Sequence, residues 1–243
     1  VIKNHISKED KYTYAIQELS NYLGIENIKK IEGYDVSHIS GDNAVASCVV
    51  FSNEGPLKKN YRLFNIPKDL SGNDIGSLEH VMKRRLKYYN DPKIKPDLVL
   101  IDGGELQLKF IDKVIRKSKH RNIEVISIVK GINRLRATET IIGKNGILEL
   151  DKYSKAFLLL QEIRDESHRF ALRAQRKNKR KKITTSELDK IKGIGMTLKA
   201  RLIKRFKNIK NIKSASLEDL MTVQGINERI AKEIIQNKNV KNS

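Results

Sequence analysis

The chain has 243 residues, a formal net charge of +20 and one cysteine, Cys48. It contains no run of about 18 apolar residues, so no bilayer-spanning helix is encoded, and the amino-terminal VIKNHISKED lacks the apolar core of a signal peptide. A lone thiol excludes an internal disulfide framework and fits a reducing cytoplasm, while the basic excess points to a polyanion, most simply nucleic acid.

Residues 1–28 are polar and carry one helix-period segment, Tyr12 to Leu23, read as a lead-in helix. The opening Val, in place of Met, marks the chain in this reading as a piece of something longer. Lys30 to His38, Ala44 to Ser52 and Leu57 to Ile66 then read as three successive strands, with Asn53-Glu54-Gly55-Pro56 supplying turn chemistry between the last two. Ser77 to Tyr89 has helical spacing at Leu78, Val81, Met82 and Leu86. Asp97 to Ile101 is a continuous apolar run after a proline, the pattern of a strand buried on both faces. Leu106 to Ile115 is helical, Val125 to Val129 is a strand, and Glu139 to Ile142 and Gly146 to Leu150 pair as two short strands. A long helix from about Lys155 to Arg176 closes the domain. The order predicts an α/β class, a mixed sheet with helices on its faces, over residues 29–176. Residues 177–186 read as a basic linker, and Thr184-Thr-Ser-Glu187 as the start of a small all-α domain over 187–243.

Three residues stand out for chemistry. Asp35 lies inside the first strand, where a carboxylate is costly unless it is exposed at a sheet end, hydrogen-bonded or bound to a metal. Asp102 follows the buried run Leu98 to Ile101 and precedes Gly103-Gly104, at the carboxyl end of a strand where open α/β sheets place their sites. A helix cap is the alternative for Asp102, and a solvated turn for Asp35. His168, in Arg164-Asp-Glu-Ser-His168, sits at the edge of an apolar stripe formed by Ala156, Leu160, Ile163 and Phe170. It shares a face with Arg164, and an ordinary surface position is its alternative. Strand alternation points Ser37, not His38, to the face of Asp35. Cys48 fits core packing, and neither a Gly-Lys-Ser/Thr phosphate loop nor a Gly-x-Ser-x-Gly nucleophile motif is present.

The segments IEGYDVSHISG, GNDIGSLEHVMKRR, PDLVLIDGGELQL and IRDESHRFA, in this order, resemble the endonuclease domain of the UvrC family. The resemblance covers about residues 29–176 and continues into the small domain. It implies a ribonuclease-H-like fold in which the first strand runs beside and parallel to the strand ending at Asp102. It also implies a catalytic metal set of Asp35, Asp102 and His168 holding Mg²⁺ or Mn²⁺, with Asp74 in Gly72-Asn-Asp74 as a further acidic position. Two close carboxylates repel unless a divalent cation neutralises them, and such cations prefer oxygen ligands.

Beyond the catalytic stretch, Arg173 to Lys182 holds seven basic residues in ten and no acid, so Arg176, Lys177, Lys179 and Arg180 are candidate phosphate contacts. Lys130 and Arg134, after the strand ending near Val129, are further candidates, with a solvated loop as the alternative. A near-repeat at an offset of 32 residues sets Ile191-Lys-Gly193-Ile194-Gly195 against Val223-Gln-Gly225-Ile226-Asn227. This resembles a tandem helix-hairpin-helix module, which implies duplex-DNA binding through backbone N–H groups at a helix start. Lys192, Gly193, Gly195, Lys199 and Gly225 are its candidate contacts. The second copy departs from the pattern at Asn227, which tolerates left-handed turns.

The leading reading is a metal-dependent DNA endonuclease of nucleotide excision repair that makes the 5′ incision beside a lesion, working with UvrB and a UvrA-loaded damage complex. The amino-terminal nuclease domain, Cys-rich segment and UvrB-binding segment of such proteins are not found in the 243 residues. Alternatives are a non-catalytic DNA-binding scaffold on a ribonuclease-H-like fold, and a related nuclease acting on RNA or junctions.

Overall fold

The computed structural model describes residues 8–37, 44–130, 139–189, 191 and 193–236. The chain divides into two compact units, Val1–Ala174 and Gln175–Ser243.

In the larger unit, β1 (Lys30–Ser37) pairs antiparallel with β2 (Val45–Ser52) and parallel with β5 (Leu98–Asp102). β5 pairs parallel with β6 (Glu124–Lys130), and the sheet ends in the antiparallel strands β7 (Glu139–Gly143) and β8 (Gly146–Leu148). The apolar run of β5 is buried on both faces. Leu98 and Leu100 join the core beneath α1 (Lys8–Leu23) and α4 (Lys155–Asp189), with Ile31, Val49 and Ile128. Val99 and Ile101 join the opposite core beneath α2 (Asp74–Leu86) and α3 (Glu105–Arg116), with Tyr34, Cys48 and Val125. Period-2 alternation accounts for both faces.

Three elements differ from the sequence expectation. The third strand is interrupted: β3 is Gly55–Pro56, a 3₁₀ turn follows at Lys58–Asn60, and β4 is Arg62–Asn65, with both strands pairing to β2. Gly55 takes φ +95°, and a Cβ there would sit 2.5 Å from the Tyr12 ring, so this turn position requires glycine. Helix α1 itself belongs to the core: Tyr12, Ala15, Ile16 and Leu19 are buried, at helical spacing, against α4 and the sheet. Helix α4 runs to Asp189 rather than stopping near Arg176. No Gly or Pro lies between Lys155 and Asp189, and its Lys, Arg and Gln residues are good helix formers, so nothing local breaks it.

The smaller unit holds α5 (Met196–Phe206), α6 (Ile209–Ser214), α7 (Leu217–Met221) and α8 (Glu228–Gln236) around Ile194, Leu202, Ile212, Leu220 and Ile234. The repeat seen in sequence is a structural one. Gly193 and Gly225 have φ +87° and +96°, and each faces the other copy's helix. A Cβ on Gly193 would lie 3.5 Å from Ile230, and one on Gly225 2.7 Å from Leu198. Leu198 and Ile230 are equivalent positions at the 32-residue offset, so the contacts are reciprocal.

Candidate metal centre

Asp35 is near the end of β1, and the parallel register that sets Tyr34 against Ile101 brings Asp102 beside it one step further on. Both side chains point to the α4 face. There His168 completes a group in which one possible ligand atom per residue lies within 4.8 Å of the others. Asp35 is 6% exposed, whereas the His168 side chain is 53% exposed and faces solvent. His168 Nδ1 stands 3.3 Å from Asp35 Oδ2, with the donor set by the tautomer. Ser37 Oγ donates a 2.7 Å hydrogen bond to that same oxygen, as strand alternation predicts. Two carboxylates and an imidazole at this separation suit a divalent cation by their chemistry: two anions offset its charge and oxygen dominates the donors.

The position of His168 follows from how α4 meets the sheet. A Cβ on Gly33 would overlap Ile163 Cγ2, so only glycine lets the helix approach β1 so closely. The buried Ser47, paired with Asp35 across β1 and β2, donates a 2.8 Å hydrogen bond to the Ser167 carbonyl. Ser167 is fully buried and extends the apolar stripe toward His168. Arg164, one turn before His168, is held by Glu139 of β7 and by Asp165.

Asp102 does not cap the following helix. The cap is Gly104, whose N–H donates to Gln107 Oε1, and a Cβ on Gly103 would overlap the same side chain. Asp74 is outside the three-residue group. It opens α2 after the cap Asn73 and lines a cleft with Gly104, Glu105, Leu106 and Gln107.

The α2 face of β1 carries a polar cluster that sequence reasoning missed. Glu32, fully buried, accepts hydrogen bonds from Arg85 Nη2 at 2.5 Å, Tyr34 Oη at 2.5 Å and Tyr89 Oη at 2.6 Å. Burial foremost, with nearby Cys48 and Glu32, pushes both phenols well above their usual range, and Arg85 is raised against the effect of burial by its Glu32 hydrogen bonds and charge, with Tyr34 and Cys48 beside them. The only trace in the sequence is a Glu at an inward position of a strand.

Of the candidate DNA contacts, Gly195 caps α5 without a side-chain bond, and Gly193 and Gly225 form the two turns. Asn227 Oδ1 accepts from Ile230 N at 3.0 Å, so the second turn survives the loss of its final glycine. Lys199 is ion-paired with Asp189. Arg176 is exposed on α4. Arg134, His38 and Lys192 fall outside the described residues, as do the side chains of Lys130, Lys177, Lys179 and Arg180. Among the described residues no helix is long and apolar enough to cross a membrane.

The chain matches the UvrC RNAse H endonuclease domain over residues 20–172 and a helix-hairpin-helix motif over residues 190–242. It is similar to UvrABC system protein C of Legionella pneumophila (strain Paris), with 37% identity over 236 residues, 96% of this chain and 38% of that protein. The protein of the same name from Coxiella burnetii (strain CbuK_Q154) is 35% identical over 237 residues, 96% of this chain and 39% of that one. The chain thus spans about two-fifths of the length of the curated relatives it matches. Among solved structures, the catalytic domain of human Endonuclease V aligns at 14% identity with a TM-score of 0.41, over 68% of this chain and 95% of that one.

Proposed function

Because the chain belongs to the UvrC family, we propose that its larger unit is a metal-dependent DNA endonuclease of nucleotide excision repair, cutting 5′ to a lesion. The observation that carries this reading is the convergence of Asp35, Asp102 and His168 from two parallel strands and a helix. These residues would hold Mg²⁺ or Mn²⁺, and a cation so held lowers the pKa of a coordinated water and stabilises charge on phosphate oxygens. In this reading the buried Asp35 is a carboxylate ligand, and a phosphodiester approaches from solvent past the exposed ring of His168. Three tasks suit that ring: ligating the cation, orienting water, or protonating the leaving oxygen. Asp74 is kept in this reading as an accessory acid, in the cleft it shares with Gly104 and Gln107. The intact ligand set disfavours a non-catalytic scaffold.

The smaller unit is assigned duplex-DNA binding. The proposed contacts are Arg176, Lys177, Lys179, Arg180 and Lys192, with backbone N–H groups at Gly193, Gly195 and Gly225. Lys130 and Arg134 would contact DNA after β6. Because Asp189 already holds Lys199, its contribution to phosphate binding is the weakest of the set. Lesion specificity is assigned to partners, namely UvrB and a UvrA-loaded damage complex, in the cytoplasm.

The test is nicking of supercoiled plasmid by the whole chain in Mn²⁺ or Mg²⁺, beside Asp102→Ala. Metal-dependent nicking should fall on the order of 10³-fold in the variant while DNA binding persists. Undiminished nicking by Asp102→Ala would place the active site elsewhere.

A further inference from the structure

Ser37 stands two residues beyond Asp35, on the same face of β1. Its Oγ is 2.7 Å from Asp35 Oδ2, and the two residues are only 9% and 6% exposed. That oxygen also faces His168 Nδ1 at 3.3 Å, so one carboxylate oxygen gathers both neighbours. A carboxylate turns about its terminal torsion in a broad two-fold well, and a single donor on one oxygen is enough to fix its plane. We infer that Ser37 is a positioning residue, whose hydroxyl sets the plane of the Asp35 carboxylate and so the affinity of the centre for a divalent cation. This rests on the metal-site reading above.

Two physical effects of removing the hydroxyl have opposite signs. A donated hydrogen bond draws charge from the carboxylate, so its loss alone would make Asp35 a stronger electrostatic partner for a cation. Loss of orientation works the other way, because the carboxylate must then be ordered when the cation binds. Partners that orient metal ligands typically contribute about 10–100-fold in affinity, which makes orientation the dominant effect. Sterically, Ser37→Ala removes one oxygen and adds no bulk, so the strand pairing of Ser37 with Val45 is retained.

The experiment is Mn²⁺ titration of the whole chain, following the electron-paramagnetic-resonance signal of free Mn²⁺, for wild type, Ser37→Ala, Ser37→Thr, Ser37→Cys and Asp102→Ala. Wild type should bind, and Asp102→Ala should not. Ser37→Ala should bind about 10–100-fold more weakly, with nicking restored as Mn²⁺ is raised. Ser37→Thr keeps a hydroxyl and should stay close to wild type. Ser37→Cys, near in shape but a weak donor, should follow Ala and supplies the same reading should Ala not fold. Equal or tighter binding by Ala and Cys overturns the role of Ser37 and leaves the metal centre standing. Absence of binding by wild type, or equal binding by Asp102→Ala, overturns both.

Discussion

Residues 175–243 hold 19 of the 49 Lys and Arg but 6 of the 29 Asp and Glu, whereas residues 1–174 hold 30 and 23. The larger unit spends many of its charges on one another. Glu32 with Arg85, and Arg164 with Glu139, are ion pairs with little exposure, and the candidate metal centre is two acids and a histidine. Among the described residues of the smaller unit, basic side chains such as Lys204, Arg205, Lys207 and Lys210 are exposed. Chemistry at one place needs a few groups fixed to fractions of an ångström, whereas phosphate attraction sums over many groups and tolerates loose placement. The first unit should therefore be sensitive to single buried atoms, and the second to total charge.

The largest effect that would break this comparison lies at Glu32. Glu32→Ala leaves Arg85 buried without its carboxylate, and should cost the larger unit about 3–5 kcal/mol in urea unfolding. Metal-dependent nicking should fall with that unit, whereas helix-hairpin-helix DNA binding should persist. Loss below about 1 kcal/mol would show that water or the phenols solvate Arg85 well enough, and that the pair is not structural.

A middle-sized effect sharpens the other side. Replacing Lys204, Arg205 and Lys207 together by Gln should flatten the slope of log affinity against log salt by about 1–3. The nicking rate at saturating DNA should not change. An unchanged salt slope would mean that this cluster is not on the DNA path.

The smallest is a pH effect. Burial, then the charges of Lys95 and Lys119, hold His120 below its ordinary 6.5. The native state thus favours the neutral ring and the unfolded chain binds more protons, so stability is lost as pH falls through the unfolded value toward the lower folded one. His120→Phe keeps a ring for the edge-to-face contact with Tyr89 and should reduce the loss between about pH 7.5 and about pH 5.5. An unchanged loss in the variant would assign the acid sensitivity to other groups.

Local patterns carried much of the fold. The run Leu98 to Ile101 announces a doubly buried strand, and the glycine repeat announces the paired hairpins. The candidate metal set was not legible from spacing. Asp35, Asp102 and His168 each have an ordinary local reading, and only the family motifs implied the crossover that joins them. Glu32 and Arg85 were missed because their partnership spans 53 positions and leaves no periodic mark. The role of α1 was hidden for a similar reason. Its apolar spacing was plain, but its partner is a helix more than a hundred residues later, tied to it through Tyr12 to Glu162 and Glu18 to the Ala156 N–H. The approach of the Tyr12 ring to Gly55 is likewise absent from any local reading of residues 55–66.

The reciprocal packing of the two hairpins has a consequence for dissection. Each turn glycine is covered by the other copy's helix, through Ile230 over Gly193 and Leu198 over Gly225. Arg201 adds a bond from its Nη1 to the Gln224 carbonyl at 2.6 Å. A fragment carrying one copy would therefore lack the wall against which its own turn is built. Two such halves mixed together have in each other the missing surface, whereas two copies of the same half do not. The repeat is a pair of unlike complements, and the smallest portion of it that can be cut out and still fold is both.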